Sequence, residues 1–489
     1  MTKEMTLLDM LEEGNAAFLE QESKKSRRER KMLPHGCREG QIYRDIARLA
    51  WPSFVELLLT SLVSMVDMIM VGTMVNGDDA ISAVSLASQP KFIFVSLLIA
   101  LNVGVTVVIA RARGAGNKEL ANNALGFGML LSFTVSVVSS ITGFVFAEPL
   151  IRFMATESLN GETIGLSCAY FQIQMAGFVT MGITTTFTAL LRGVGYSKIP
   201  MQYNITANLI NIVGNYLLIN GHLGFPALGV AGASLATVIG QLVAFCLAFA
   251  RVMSKKCFFT LSLPGFIKTF RQNWYLVGGI TRVGIPSLVE QFITRVGMIL
   301  FARQIASLGQ PYFTTHQILS NIQTLTFMVG QAMAVSSTAL VGQSLGKCRP
   351  DMAEHYSRRC TRVGVLLGVA LCVFLLCFGK NIVGLYSQTE AVLVAAGPAL
   401  ILMALGQPMQ TPTFILTGSL RGAGDTKSTA VITLIGILCI RPILGALFLR
   451  YTQWKLTGAW IAITIDVIIR MLLVIGIYNR GKWKKVHVI

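Results

Sequence analysis

From Trp51 to Tyr478 the chain alternates long apolar runs with short polar breaks. A helix needs about 20 mostly apolar residues to cross a bilayer, and run after run reaches that length. The first, from Trp51 to Thr73 (WPSFVELLLTSLVSMVDMIMVGT), nevertheless carries two acids, Glu56 and Asp67. They stand about three helical turns apart and so share a face. An ionised acid deep in a bilayer costs about 2.5–3.5 kcal/mol on insertion scales, and such residues mark functional sites by default. The fifth span carries Asn204, Asn208, Asn211 and Asn215 at intervals of four, three and four. That spacing lays a stripe of amides along one helical face.

The polar breaks alternate in charge. Arg111, Arg113 and Lys118 fill one; Arg192 and Lys198 another; a long stretch from Arg251 through Lys255 and Lys256 to Arg282 a third. Lys347, Arg349, Arg358 and Arg359, then Arg421 and Lys427, then Arg480, Lys482, Lys484 and Lys485 continue the series. The breaks between them are acidic or weakly basic, as at Asn76–Asp79, at Glu148, Glu157 and Glu162, and at Asn220–Pro226. Cytoplasmic loops collect Lys and Arg. About twelve helices with both termini cytoplasmic satisfy every break, in an all-α polytopic membrane protein. The expected order is a polar cytoplasmic tail at 1–44, helices 1–6 at 45–253, a basic cytoplasmic linker at 254–283, helices 7–12 at 284–480 and a cytoplasmic tail at 481–489. Within the first tail, Met5–Gln21 reads as a short surface helix. The basic run Lys24–Lys31 reads as a solvated segment fixing the N-terminus inside, with contact to anionic lipid as the other reading.

Composition agrees. The 489 residues are 53% hydrophobic and 13% charged, where soluble domains are about 25% charged. The net charge of +18 would suggest nucleic acid in a soluble protein. Here the basic residues track alternate loops, so membrane topology accounts for them and no nucleic-acid partner is expected. Of the nine cysteines, Cys168, Cys246, Cys372, Cys377 and Cys439 fall inside apolar runs and form no CxxC pair or metal-type spacing; they read as small buried hydrophobes. No apolar core follows the first basic residues, so no cleaved signal peptide is expected. Five scattered histidines supply no constellation for a membrane-embedded enzyme, the remotest of the readings weighed.

The two halves repeat each other. Pro52-Ser53-Phe54-Val55-Glu56 recurs as Pro286-Ser287-Leu288-Val289-Glu290. Leu191-Arg192-Gly193-Val194-Gly195 recurs as Leu420-Arg421-Gly422-Ala423-Gly424, and Gly232-Ala233 as Gly458-Ala459. The matches keep their order at a nearly constant offset. Six spans followed by six more give both halves the same orientation, a parallel repeat found in secondary transporters. The repeat also exposes an asymmetry. Asp67 aligns with Phe301, the amide stripe with mostly apolar residues from Thr433 onward, and Thr237 with Ile463. Packing devices would be needed twice, so the asymmetry favours a chemical site in the first half; interhelical hydrogen bonding remains the other reading for Asn204 and Asn208.

Together these features resemble the multidrug and toxic compound extrusion (MATE) family: Pro52 followed by Val66-Asp67 and Gly72, the paired LRGVG and LRGAG, Asn211 with Asn215-Tyr216, and Gly229-Val230-Ala231-Gly232-Ala233. The resemblance covers about residues 45 to 480. It implies two six-helix lobes in a V, and export of amphipathic organic cations in exchange for H⁺ or Na⁺, with no other cofactor. Carried over by position, Asp67, Asn211, Asn215 and Thr237 match the family's N-lobe coupling-ion site. Some relatives have a second acid where this chain has Asn215, which leaves the choice of ion open. Sodium-coupled relatives of another branch place an acid two turns beyond the seventh-helix proline; here that place is Thr294, with Glu290 one turn beyond.

The implied mechanism is alternating access, with Asp67 taking up the ion, Pro52 as a flex point, and Glu290, Met65, Met68, Phe301 and Gln317 as substrate contacts. The implied setting is a monomer in the cytoplasmic membrane, serving small cationic drugs or metabolites. A flippase for a lipid-linked precursor, from the same superfamily, is the nearest alternative. Of the remaining polar residues, Asp466 and Arg470 are spaced to neutralise each other on one helix. Arg441-Pro442 reads as a kink with a snorkelling or paired arginine. His316 reads as a proton relay or a satisfied interior histidine, and Lys91 stays ambiguous.

Overall fold

The computed structural model describes residues 38–74, 77–155, 161–254, 257–259, 274–387, 389–486 and 488. The expected surface helix at Met5–Gln21 and the basic run Lys24–Lys31 lie outside these residues. The helices, in order, are α1 Glu39–Gly72, α2 Gly77–Gly114, α3 Lys118–Val145, the short α4 Ala147–Met154, α5 Gly161–Ala176, α6 Phe178–Val194, α7 Lys198–Leu218 and α8 Gly229–Met253. Then follow α9 Tyr275–Ala306, α10 Gln310–Gly346, α11 Pro350–Tyr386, α12 Glu390–Gly422, α13 Thr426–Thr433, a π-helical segment Leu434–Ile440, α14 Arg441–Tyr451 and α15 Lys455–Asn479.

Among the described residues ten spans are long and apolar enough to cross a membrane, the one at Thr426–Tyr451 running through α13, the π-helical segment and α14. The pair α5 and α6, bent by 52° at Gly177, forms an eleventh if taken as one span. Helix α7 is 21 residues long and of spanning length, but its amide stripe lowers its hydropathy. The expected all-α, polytopic architecture of about twelve spans therefore holds.

The chain divides into two compact units. One takes in Val55–Arg113 and Asn117–Thr281; the other takes in the residues up to Phe54, Gly114–Gly116 and Arg282–Ile489. In the first, Ala87, Leu98, Phe171, Met175 and Phe178 form one buried cluster and Val71, Ile219, Val230 and Ala233 another. In the second, Phe301, Leu319, Leu375, Leu400, Trp460 and Ile463 share a core.

Three boundaries read from the sequence shift. Residues 39–44, assigned to a polar tail, are the start of α1. Ile42, Ile46 and Leu49 are buried against Met333, Leu340 and Ile415 of the same unit. The stripe is short and interleaved with charges, of which Asp45 accepts from the Tyr356 hydroxyl at 2.8 Å and Glu39 pairs with Arg359. The basic stretch assigned to a linker as far as 283 gives way to helix at Tyr275. At the C-terminus Trp483 is buried, stacks on Tyr478 at 5.0 Å and donates to the Tyr478 carbonyl, while Lys484 reaches Glu354. A large amphipathic ring packs onto the unit instead of trailing in solvent.

The repeated LRGxG motif has a plain structural meaning. Its second glycine is left-handed in both copies, Gly195 at φ 100° and Gly424 at φ 89°, a conformation glycine takes without a Cβ penalty and the usual way to end a helix. Its first glycine allows close approach: a Cβ on Gly422 would stand 2.4 Å from the Thr338 carbonyl oxygen, and one on Gly193 2.4 Å from Ile109.

Candidate functional site

Helices α1 and α7 run side by side and parallel, joined by a ladder of side chains. Asn204 Nδ2 donates to Glu56 Oε1 at 2.6 Å, Asn208 Nδ2 to Thr60 Oγ1 at 3.3 Å, and Asn215 Nδ2 to Asp67 Oδ1 at 2.6 Å. Each pair is 148 residues apart, which requires the two helices to advance together. The amide stripe thus faces the two-acid face of α1, and its members divide into two groups.

The upper group surrounds Asp67. Buried Asn211 has its amide nitrogen towards Asp67, at 2.9 and 3.1 Å from the two carboxylate oxygens, and its oxygen 3.1 Å from Thr237 Oγ1. The four residues expected to form the ion site are therefore gathered in one place. Two features make the place chemically unusual. No Lys, Arg or His lies within ion-pair distance of Asp67 among the described residues. Asn215, 1% exposed, keeps its carbonyl oxygen Oδ1 buried and without a partner. A carboxylate lacking a counter-charge and an orphan acceptor on the amide beside it both call for a cation or a proton.

The lower group is different. Glu56, 6% exposed, pairs with Arg192 at 2.8 Å as well as with Asn204. The second half builds the same device: Glu290, 4% exposed, pairs with Arg421 at 2.5 Å and accepts from Thr429 at 2.8 Å and Thr433 at 3.2 Å. Thr433 is the repeat counterpart of Asn204, and Arg421 that of Arg192. In each half the arginine of LRGxG thus holds the glutamate of the Pro-Ser-x-Val-Glu motif. Glu290, expected as a substrate contact, has both carboxylate oxygens occupied and its charge neutralised. Asn204 likewise belongs to the Glu56 clamp and not to the Asp67 group. The sequence held the signal, an acid and a base that recur together in both halves, but nothing in it showed that they touch.

The other expected contacts are dispersed. Met65 is exposed and Met68 half-buried on α1 beside Asp67, and Gln317 is exposed on α10. Phe301 is not open to a ligand: it is 2% exposed in its unit's core, with the Arg441 guanidinium 5.9 Å from its ring centre. Arg441 is paired as one of the two readings foresaw, donating to Asp466 Oδ2 through Nη2 at 2.6 Å, so Asp466 serves two arginines and not Arg470 alone. His316 is 3.5 Å from the Ser320 hydroxyl through Nε2, and its buried Nδ1 has no partner. Lys91 donates to Gln174 Oε1 at 2.7 Å.

Two duplicated halves of membrane-spanning helices, with a carboxylate inside a span that has no counter-charge among the described residues, are the architecture of a membrane transporter. The model of the MatE family matches residues 52–217 and again 286–447, and the chain belongs to that family. Among its relatives is a probable multidrug resistance protein NorM of Thermotoga maritima, 28% identical over 91% of this chain and 94% of that one. The multidrug resistance protein PmpM of Pseudomonas aeruginosa is 26% identical over 82% of this chain and 83% of its own. Among solved structures, a MOP superfamily transporter from Pyrococcus furiosus shares the fold at a TM-score of 0.82 and 21% identity, over 90% of this chain and 96% of that one. An outward-facing multidrug resistance MATE family transporter does so at 0.83 and 22%, over 91% and 97%. The protein is a multi-pass membrane transporter of small molecules.

Proposed function

We propose that the protein is a cation-coupled antiporter that exports amphipathic organic cations by alternating access, with Asp67 as the residue that takes up H⁺ or Na⁺. The carrying observation is the orphan Oδ1 of Asn215 beside an acid that has no cationic partner among the described residues. Binding a proton or Na⁺ removes the cost of a lone charge in the membrane. For Na⁺, the Asp67 carboxylate and the orphan Asn215 Oδ1 offer oxygen ligands, and an Asn211 amide turned end for end, beside the Thr237 hydroxyl, would add its own oxygen to a set suited to a hard cation. Loss of the charge weakens the hold of α7 on α1, so ion binding on one side of the membrane and release on the other bias two arrangements of this helix pair. Met65 and Met68 offer polarizable, adaptable contacts to a range of apolar cations next to the ion site.

Inside-out vesicles test this reading. A lumen made acidic, or loaded with Na⁺, should drive uptake of a fluorescent organic cation, and the effective gradient names the ion. If Na⁺ is the ion, Asn215→Ala or Thr237→Ala should raise the Na⁺ concentration needed for half-maximal uptake. Uptake under neither gradient sinks the proposal and returns the flippase reading to the front.

Orientation follows from charge. The breaks at 111–120, 251–283 and 347–360 hold basic clusters, so we place them and both termini on the cytoplasmic side. Single cysteines introduced there on a cysteine-free background should resist an impermeant thiol reagent in intact cells and react after permeabilisation. Labelling of any of the three in intact cells contradicts this topology.

A further inference from the structure

Beyond the terminal turns of its spans, the unit that holds Asp67 carries three charged side chains, Glu56, Asp67 and Lys91. Glu56 is neutralised by Arg192 at the end of α6. That leaves two lone charges of opposite sign, Asp67 on α1 and Lys91 on α2. Half-buried Lys91 has no carboxylate within ion-pair distance among the described residues, and its Nζ donates to Gln174 Oε1 at 2.7 Å. An amide satisfies a hydrogen bond but cancels no charge, and a lone ammonium inside a span marks function by default.

The two lone charges are joined by hydrogen bonds. Gln174 is 1% exposed, and its Nε2 donates to the Ser234 carbonyl at 3.4 Å. Ser234 begins the turn of α8 that ends in Thr237, whose hydroxyl lies 3.1 Å from the Asn211 amide beside Asp67. Lys91 and Asp67 are thus tied to one turn of α8, the first through Gln174 of α5 and the second through Asn211 of α7. Of the other titratable groups around them, the Tyr170 hydroxyl of α5 lies within electrostatic reach of Asp67, and Tyr203 of α7 stands with Arg192 at the Glu56 clamp. Cys168 of α5 lies near Glu148 and Arg152 instead. Helices α7 and α8 otherwise meet the acid with amides and a hydroxyl, and α6 has no charged residue before Arg192. The repeat offset that sets Asp67 against Phe301 sets Lys91 against Leu325. The half without the acid is also without the lysine, as fits two members of one device.

We propose that Lys91 is the standing counter-charge of the ion site, a fixed positive charge that limits how tightly Asp67 holds H⁺ or Na⁺ so that the ion is released as well as bound. The inference rests on the reading of Asp67 as the coupling residue and names what regulates it. Lys91 is a positioning residue: it acts through Asp67 by the field of its charge. With Asp67 empty, the two charges sum to zero. With an ion aboard, the pair is left at plus one, and the lysine favours release. Without Lys91 the empty site would leave a lone anion in the span and the loaded site none, so the ion would be held more tightly. The expected change in ion affinity is about three- to tenfold, the Coulomb scale of unit charges one to two helix-packing distances apart at an effective dielectric near 20.

A hydrophobic carbodiimide tests this on the purified full-length protein, because it labels a protonated carboxylic acid and spares one that is ionised. Label on the Asp67 peptide is followed across a pH series, with and without Na⁺. K91Q should raise the pH of half-labelling by about half a unit to one unit, the same three- to tenfold change in affinity. If Na⁺ protects Asp67, K91Q should lower the Na⁺ concentration for half-protection by that factor. K91M should match K91Q, so the result does not hang on the folding of one variant. K91R keeps the charge and should keep the parental midpoints. Midpoints of K91Q and K91M equal to the parent's overturn the proposal. So does an equal shift in K91R and K91Q, which would mark a merely structural lysine. Labelling needs no gradient, so failure of ion-driven export counts against the antiporter reading alone, and unmoved midpoints in a protein that exports count against Lys91 alone.

Discussion

Asp67→Asn should abolish ion-driven export while leaving a folded protein in the membrane. The substitution keeps the size of the side chain, and an amide costs less to bury than an ionised acid, so expression and thermal stability should match the parent or exceed it. What disappears is the change of charge. The parent Asp67 has Asn215 at 2.6 Å, Asn211 close by and no cationic side chain in ion-pair reach among the described residues, so the arriving ion neutralises it. With asparagine there, uptake into inside-out vesicles should drop to that of vesicles lacking the protein, under a proton or a sodium gradient. Binding of the organic cation to purified protein should persist. Asp466→Asn should leave coupling in place, because Asp466 is already neutralised by Arg441 and Arg470. A well-expressed Asp67→Asn protein that exports at the parental rate under both gradients ends the assignment.

Removing Arg421 should destabilise the protein strongly. Glu290 is 4% exposed and depends on Arg421, Thr429 and Thr433. Breaking a buried pair from one side leaves an unpaired charge and costs about 3–5 kcal/mol. Arg421→Ala should therefore lower the unfolding temperature in detergent markedly. Glu290→Gln combined with Arg421→Gln should recover much of the loss, since no net charge stays buried. Arg192 and Glu56 should behave the same way, their geometry repeating the arrangement. On substrates, Glu290→Gln should reduce export of cationic and neutral molecules by the same factor, as suits a clamp; a loss confined to cations would restore Glu290 as a substrate contact. Equal stability of the single Arg421→Ala and the double variant would show that the pair is not coupled.

The spans, their number and the duplication were legible in the sequence because each rests on local quantities: apolar length against bilayer thickness, charge in alternate breaks, and short motifs recurring in order. The gathering of Asp67, Asn211, Asn215 and Thr237 was legible too, once the resemblance supplied partners for an acid the periodicity had already set on a helical face. What tertiary structure alone decided was which partner each charged side chain has. Periodicity finds neighbours one turn away, and so found Arg470 for Asp466. It says nothing of Arg441 reaching the same carboxylate from another helix, or of Arg421 reaching Glu290 across 131 residues of chain. Glu56 and Asp67 look alike in sequence, two acids on one face of one helix. They differ because an arginine ends the helix beside the first and none stands beside the second, and only the packing of α6 and α7 against α1 settles that.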